Sequence, residues 1–188
     1  MSVDLNGFIS VPPSGRIAPA YAATVADVIS RLTRQFPALI HSIYVYGSVA
    51  NGNAVPGRSD LDLTVIFRTQ PDAATLQKIE TVQLLAEKHH PQVSKIDFDC
   101  GVLAEVLKYE NRLSWGYWLK HHCVCLYGEN LSLRFGPFRP SPAIALAVNG
   151  DFMTVIHRLV CQIQETNDPL RQRQWLRAAA RKAIRATS

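Results

Sequence analysis

The sequence predicts an α+β fold in which helices pack on a small mixed sheet and a short all-helical region follows at the C-terminal end. Two observations carry this prediction. Strand-like and helical periodicities alternate through the first two thirds of the 188 residues, and only helical periodicity remains from residue 143 onward. We therefore divide the chain into an irregular lead-in at 1–16, a sheet domain at 17–135 and a helical region at 143–188.

The individual elements are predicted from residue composition, from the spacing of apolar residues and from the prolines that end helices. Runs rich in β-branched and aromatic residues predict strands at 39–46, 61–67, 94–100 and 122–127. Apolar residues spaced three and four apart predict helices at 19–35, 71–89, 102–110, 143–166 and 169–186. Prolines at 37 and 91 end the first two helices, and a proline-containing segment at 136–142 separates the last two from the sheet domain.

The composition is that of a folded protein. A hydrophobic fraction of 47% and a charged fraction of 19% exclude intrinsic disorder over most of the chain. The first residues lack a basic stretch followed by an apolar one, and no apolar run approaches the roughly 20 residues of a membrane span. We therefore expect a cytoplasmic protein that does not contact a membrane. In that compartment, the four cysteines are interpreted as buried, reduced thiols: Cys100, Cys123, Cys125 and Cys161.

The positive charge is concentrated at the C-terminal end. The whole chain carries a net charge of +5, and the segment from residue 151 onward contains seven basic and three acidic residues. The last predicted helix places Leu176, Ala180 and Ile184 on one stripe, and arginines 177, 181 and 185 on another. Such a helix suits a phosphate-bearing ligand, and it equally suits a solvated surface.

The chemically informative segment runs from the end of the first strand to the start of the second. Gly47 and Ser48 follow the first strand, and Asp60 and Asp62 flank Leu61 at the start of the second. Residues two apart in a strand point to the same face, so both carboxylates face one site. Glycine permits a sharp turn and a close approach to phosphate, and serine offers a hydroxyl and a backbone N–H.

The two carboxylates predict a metal site. Neighbouring carboxylates repel each other, and a cation between them relieves the repulsion. Mg²⁺ prefers such oxygen ligands, and a nucleoside triphosphate supplies the remaining ones. Asp60 and Asp62 are therefore predicted to bind the metal and the nucleotide together with Gly47 and Ser48.

This arrangement resembles the signature of the polymerase beta-like nucleotidyltransferases. That signature consists of an apolar strand, Gly-Ser, a spacer, Asp-hydrophobic-Asp and a third acid on a later strand; the resemblance covers roughly residues 40 to 105. It implies a nucleotidyltransferase domain that uses two Mg²⁺ ions, one holding the triphosphate and one activating an acceptor hydroxyl for attack on the α-phosphorus. Nucleoside monophosphate, expected to be AMP from the co-substrate ATP, would be transferred and pyrophosphate released.

The third acid implied by the resemblance lies on the predicted strand 94–100. Asp97 is our choice as metal ligand or general base, because it follows the apolar start of the strand as the family's acid does. Asp99 lies two residues on and shares its face, so it stays a candidate. In another interpretation, only one of these acids is catalytic, and the other forms an ion pair with Lys95 or Arg58.

The loop between Gly-Ser and the acids indicates which members are most similar. Many minimal members carry an arginine before the second glycine, where this chain has Asn51-Gly52. The loop looks more like that of the aminoglycoside adenylyltransferases, which implies a small-molecule acceptor. Transfer to a protein partner, as in toxin–antitoxin pairs, and a non-catalytic nucleotide-binding module are the alternatives. The basic tail keeps a role on nucleic acid open, although nothing resembles the domains that grip DNA or tRNA.

Three further features have weaker functional interpretations. The run from His121 to Cys125 contains zinc-ligand residue types, but a strand with reduced cysteines explains it. Lys120 could offset triphosphate charge, or be a surface lysine. The aromatic side chains in this region could stack on a base or an acceptor ring, or pack in the interior: Trp115, Tyr117 and Trp118.

Overall fold

The N-terminal part of the protein is built around a four-stranded mixed sheet, as predicted. The computed structural model describes residues 3–11 and 17–186, with side chains described up to residue 183. The strands are β1 (Ile40–Tyr46), β2 (Leu61–Phe67), β3 (Ile96–Val102) and β4 (Val124–Gly128). Their order in the sheet is β3-β2-β1-β4. β1 runs antiparallel to β2 and β4, whereas β2 and β3 are parallel.

Two long helices cover one face of this sheet. They are α1 (Ala22–Gln35) and α3 (Ala73–His89). The predicted periodicity of α1 is confirmed, because Val25, Val28 and Leu32 are all buried. The Asp72 carboxylate caps α3 by accepting a hydrogen bond of 2.8 Å from the Thr75 backbone N–H. Both helices contribute to a core that includes the odd-numbered side chains of β2.

Shorter elements cover part of the other face. These are α4 (Leu103–Val106) and α5 (Tyr117–His121), which follow β3, whereas the single turn α2 (Gly47–Ala50) follows β1 and packs into the first core. A second apolar cluster lies here and includes Tyr44, Ile66 and Leu119. The helix predicted over 102–110 is shorter than expected: it ends at Val106, and a 3₁₀ turn forms at Tyr109–Asn111. β3 begins and ends two residues later than predicted.

The lead-in and the cysteines differ from expectation in detail. The described part of the lead-in, residues 3–11, closes a small loop through a bridge between Val3 and Ile9; residues 12–16 lie outside the described residues.

Of the four cysteines, which are all free, only Cys123 is buried, whereas Cys100 is exposed. The expectation of a buried Cys100 was wrong because β3 is an edge strand, which the apolar character of its neighbours does not reveal.

Residues 140–188 belong to a second compact unit. It contains α6 (Pro142–Asn149), α7 (Phe152–Glu165) and α8 (Pro169–Ala186). The single helix predicted over 143–166 is interrupted at residues 150 and 151. α7 and α8 are joined by an ion pair of 2.6 Å between Lys182 and Asp151 and by hydrogen bonds from Gln172 to the carbonyls of Ile163 and Thr166.

The faces of α8 differ from the predicted stripes. Leu176 is 55% exposed, so the apolar stripe expected from Leu176 and Ala180 is not the buried one. The contacts with α7 are made instead by residues such as Gln172 and Lys182. Arg177 and Arg181 are exposed, and the side chains at 184 and 185 lie outside the described residues.

One helical stretch is long and apolar enough to cross a membrane by length and composition. It runs from Pro142 to Glu165, and 11% of its most apolar window is buried. The sequence showed no uninterrupted apolar run of this length because polar residues at 149–151 divide it. The structure places α6 and α7 on either side of that division.

A glycine at the end of β4 provides a test of this architecture. Gly128 has φ of +77°, and a Cβ there would overlap the His41 carbonyl oxygen of β1. We expect Gly128→Ala to lower the free energy of unfolding by about 2 to 4 kcal/mol, because strand pairing must shift and the backbone is strained. Urea denaturation monitored by circular dichroism measures this.

Gly57→Ala is the matched control for this substitution. Gly57 has a similar φ of +75°, but a Cβ there would meet no other atom within 4 Å. Backbone strain alone should cost about 1 kcal/mol at this position. Equal losses in the two variants would contradict a steric role for Gly128.

Candidate active site

The two faces of β2 have different chemical characters. Leu61 and Leu63 are fully buried in the core beneath α1 and α3. Asp62 and Thr64 therefore point to the opposite face, and Asp60, just before the strand, falls on that face by the same alternation. This face is where the sequence analysis expected the paired carboxylates.

The sheet register brings a third carboxylate beside this pair. Asp62 is paired with Asp97 across the parallel strands β2 and β3, and with Tyr46 across the antiparallel strands β2 and β1. A row of three functional side chains, Tyr46, Asp62 and Asp97, thus crosses the sheet. Asp99 lies in the next row, where it is paired with Thr64. Four acids therefore share one surface of the sheet, which we name the acid face: Asp60, Asp62, Asp97 and Asp99.

Gly47 follows this row directly and approaches Asp62 closely. Its φ is +73°, and a Cβ would lie 2.5 Å from Asp62 Oδ2. Only glycine combines this backbone conformation with room for the carboxylate. Ser48 is half-buried in the α2 turn, and its carbonyl accepts a hydrogen bond of 3.1 Å from the Asn53 N–H.

Three of the acids have polar partners that the structure identifies. The Ser94 hydroxyl donates to Asp60 Oδ1 at 2.6 Å. Lys95 Nζ lies 2.5 Å from Asp97 Oδ1. The Tyr46 hydroxyl donates to Asp99 Oδ2 at 2.5 Å.

Ser94 and Tyr46 were not predicted as members of the site. The alternation of β1 gives Tyr46 the same face as Tyr44, but its pairing with β2 depends on a register that local sequence does not specify.

The electrostatics follow from the concentration of acids. Burial raises the pKa of the Tyr46 hydroxyl, and Asp99, Asp62 and Asp97 raise it further. The hydrogen bond with Asp97 is the main reason that the pKa of Lys95 is raised. Both groups therefore keep their protons at neutral pH, so that Tyr46 acts as a donor and Lys95 as a cation.

The structure distinguishes the two candidate third acids by position. Asp97 is the residue next to Asp62, and it is also the acid that pairs with Lys95. Asp99 is one row farther along β3 and accepts the Tyr46 hydrogen bond. The ion pair with Lys95 is formed by Asp97, the residue chosen as third acid, and not by Asp99. In the interpretation that gives the ion pair to the non-catalytic acid, Asp99 would be the catalytic one.

Lys120 was a candidate for offsetting triphosphate charge, but its ammonium has structural partners. It donates to the backbone carbonyls of Ser132 at 3.3 Å and Phe135 at 2.8 Å. It therefore holds the segment after β4 against α5.

The aromatic candidates lie beside the acid face. Trp118 packs edge-on against Tyr46 with 4.8 Å between ring centroids, and its Nε1–H donates to Thr64 Oγ1 at 3.2 Å. It also stacks on His122 at 5.0 Å. Trp115 covers Gly101 of β3, and Tyr117 is buried. Trp115 and Trp118 thus pack against the sheet on the side of the acids, whereas the Tyr117 ring contacts His121 and Phe138.

The histidines and cysteines near β4 do not form a metal site. The His121 Nδ1 lies 3.1 Å from the Ser10 carbonyl, and burial lowers the pKa of His121. Cys123 is buried beside Thr64. Across residues 3–11 and 17–186, no group of three or more His, Cys, Asp or Glu side chains is gathered closely enough to hold a metal ion by itself.

Comparisons with known proteins agree with this geometry. The family model of the nucleotidyltransferase domain matches residues 25–114, which contain the glycine-serine turn and all four acids. Among solved structures, the protein is similar to spectinomycin adenyltransferase AAD(9) from Enterococcus faecialis, in a complex with ATP and spectinomycin. The TM-score is 0.52 at 15% identity, covering 72% of this chain and 67% of that one. No curated protein sequence matches.

The family match identifies the domain, and the structural similarity concerns its fold. Residues 25–114 are a nucleotidyltransferase domain with the polymerase beta-like fold, and the protein is an enzyme of the nucleotidyltransferase type.

Proposed function

We propose that the protein transfers AMP from ATP to a hydroxyl group of a small-molecule acceptor and releases pyrophosphate. The observation that carries this proposal is the register pairing of Asp62 with Asp97, which sets the third carboxylate beside the Asp60–Asp62 pair. The similarity to an adenyltransferase solved with ATP and a small molecule supports the choice of nucleotide and acceptor.

The donor set fits Mg²⁺. Asp60, Asp62 and Asp97 offer carboxylate oxygens on one face, and Gly47 leaves open the space beside Asp62 that a side chain would fill. Mg²⁺ is usually held by one or two carboxylates together with substrate phosphates, so this open arrangement suits it when ATP is bound. Bound there, two Mg²⁺ ions would neutralise the triphosphate and lower the pKa of the acceptor hydroxyl.

The protein's own residues then have separate roles. Asp60 and Asp62 would hold the metal-bound triphosphate, and the Gly47-Ser48 turn would let the chain approach its phosphates. Asp97 accepts the proton of the acceptor hydroxyl or shares in metal binding. The acceptor oxygen forms a new bond to the α-phosphorus while the bond to the bridging oxygen of the β-phosphate breaks, so pyrophosphate takes the leaving electron pair.

Parallel labelling reactions test the proposal. The protein is incubated with Mg²⁺ and ATP carrying ³²P at the α or the γ position, with a panel of hydroxylated small molecules. We expect transfer of label from the α position alone, together with pyrophosphate. Transfer from the γ position would identify a kinase instead. The same reactions with the other nucleoside triphosphates measure the base preference.

A second set of reactions addresses the acceptor. Cell extract proteins replace the small molecules, and labelled products are separated by size. We expect no protein to be labelled above the level seen with Asp62→Ala. Specific labelling of one protein, with no labelled small molecule in the panel, would replace the small-molecule acceptor by a protein acceptor.

A further inference from the structure

The acid face contains a cation from the protein itself. Lys95 Nζ lies 2.5 Å from Asp97 Oδ1, and the negative charge of Asp60 also acts on it. Lys95 is thus paired with one of the three carboxylates that the proposed function assigns to the metal. A divalent cation bound to the same Asp97 oxygen would have to displace the ammonium, because two cations at that spacing repel each other.

The Lys95 side chain can move although the Lys95 backbone is held in place. The Lys95 carbonyl accepts a hydrogen bond of 2.8 Å from the Leu61 N–H, which fastens the residue to the start of β2. The Lys95 side chain is 57% exposed, against 37% for Asp97. A long, flexible and exposed side chain can leave one anion for another at little cost.

In the turn after the glycine-serine pair, Asn51 is exposed and uncharged. A triphosphate that approaches the acid face therefore gains from a mobile positive side chain outside this turn. Lys120 does not supply it, because its ammonium is bonded to two backbone carbonyls.

We propose that Lys95 is an exchangeable counter-cation of the acid face: it balances Asp97 in the free enzyme and moves to the triphosphate when a divalent metal binds together with ATP. The inference rests on the proposed function. It makes Lys95 a positioning residue that couples the two ligands. The metal alone must compete with the ammonium, whereas the metal together with ATP offers the ammonium a new anionic partner.

Direct binding of Mn²⁺ tests this coupling without any turnover. Mn²⁺ shares the preference of Mg²⁺ for oxygen ligands, and the free ion is counted by electron paramagnetic resonance. Without nucleotide, we expect Lys95→Met to bind Mn²⁺ about three- to fivefold more tightly than the wild type, since an exposed competing ion pair is lost. In the presence of Mn²⁺, the same variant should bind a non-hydrolysable ATP analogue roughly three- to fivefold more weakly.

Two further variants make the result specific. Lys95→Arg keeps the charge and should bind both ligands as the wild type does. Lys108→Met removes another half-exposed lysine, paired with Glu105 at 2.6 Å outside the acid face, and should change neither affinity. Circular dichroism confirms that each variant is folded.

The two ways in which the test can fail are distinguishable. Unchanged or weaker Mn²⁺ binding by folded Lys95→Met, in a protein whose wild type binds Mn²⁺ with the analogue, would overturn the role of Lys95 alone. Failure of the wild type to bind Mn²⁺ with the analogue would overturn the proposed function, and this inference with it.

Discussion

Replacing Asp62 by alanine is expected to reduce nucleotidyl transfer at least about a hundredfold while leaving the fold intact, because a metal-binding carboxylate is lost. Asp60→Ala should have the same effect. Both residues belong to the acid face, where like charges repel, so neither substitution should lower the melting temperature, and a small rise is expected. Steady-state label transfer and thermal denaturation measure the two quantities on the same preparations.

Asp72→Ala is the matched control for these variants. Asp72 is an exposed aspartate whose carboxylate accepts a hydrogen bond, as that of Asp60 does, but it caps α3 away from the acid face. Its loss should reduce stability by about 1 kcal/mol and leave turnover unchanged. Turnover above a tenth of the wild-type value in either Asp60→Ala or Asp62→Ala would contradict the assignment of metal ligands.

The second large effect is expected at Asp97. Asp97→Asn should lower kcat roughly a hundredfold or more with little change in the affinity for ATP, because a general base or metal ligand is lost while the triphosphate contacts remain. Asp99→Asn should be milder, within about tenfold, since its carboxylate lies one row away and accepts a hydrogen bond from Tyr46. Single-turnover kinetics separates the chemical step from nucleotide binding.

Tyr46→Phe completes this comparison. It removes the hydroxyl that bonds to Asp99 and leaves the ring against Trp118. If Asp99 only supports the site, Tyr46→Phe and Asp99→Asn should have similar, mild effects. A larger loss in Asp99→Asn than in Asp97→Asn would transfer the catalytic role to Asp99 and show that the two rows are used in the opposite way.

Much of the architecture could be predicted because it depends on local patterns. The apolar run of β2, the periodicity of α1 and the start of α3 at Asp72 each depend on a few neighbouring residues of the chain. The same holds for the face shared by Asp60 and Asp62, which follows from the period of two in a strand. Boundaries were less accurate where local signals were weak, as at β3 and at the interruption between α6 and α7.

The residues that complete the site depended on pairings between distant segments. Asp97 lies beside Asp62 because β2 and β3 pair in parallel in one register, and a shift of one residue would turn both Asp97 and Asp99 to the other face. The exposure of Cys100 follows from the position of β3 at the edge of the sheet. Neither the register nor the strand order is encoded by any single segment.

The sequence by itself therefore determined the residue types of the candidate site and their spacing: a glycine-serine turn, paired acids on a strand and a third acid on a later one. The tertiary structure decided which groups meet. In the folded protein, Tyr46 is hydrogen-bonded to Asp99, Lys95 forms an ion pair with Asp97, and Lys120 donates hydrogen bonds to backbone carbonyls. The physical reason is that residue type and spacing specify which chemistry a segment can perform, whereas the partners of a side chain are set by packing between segments far apart in the chain.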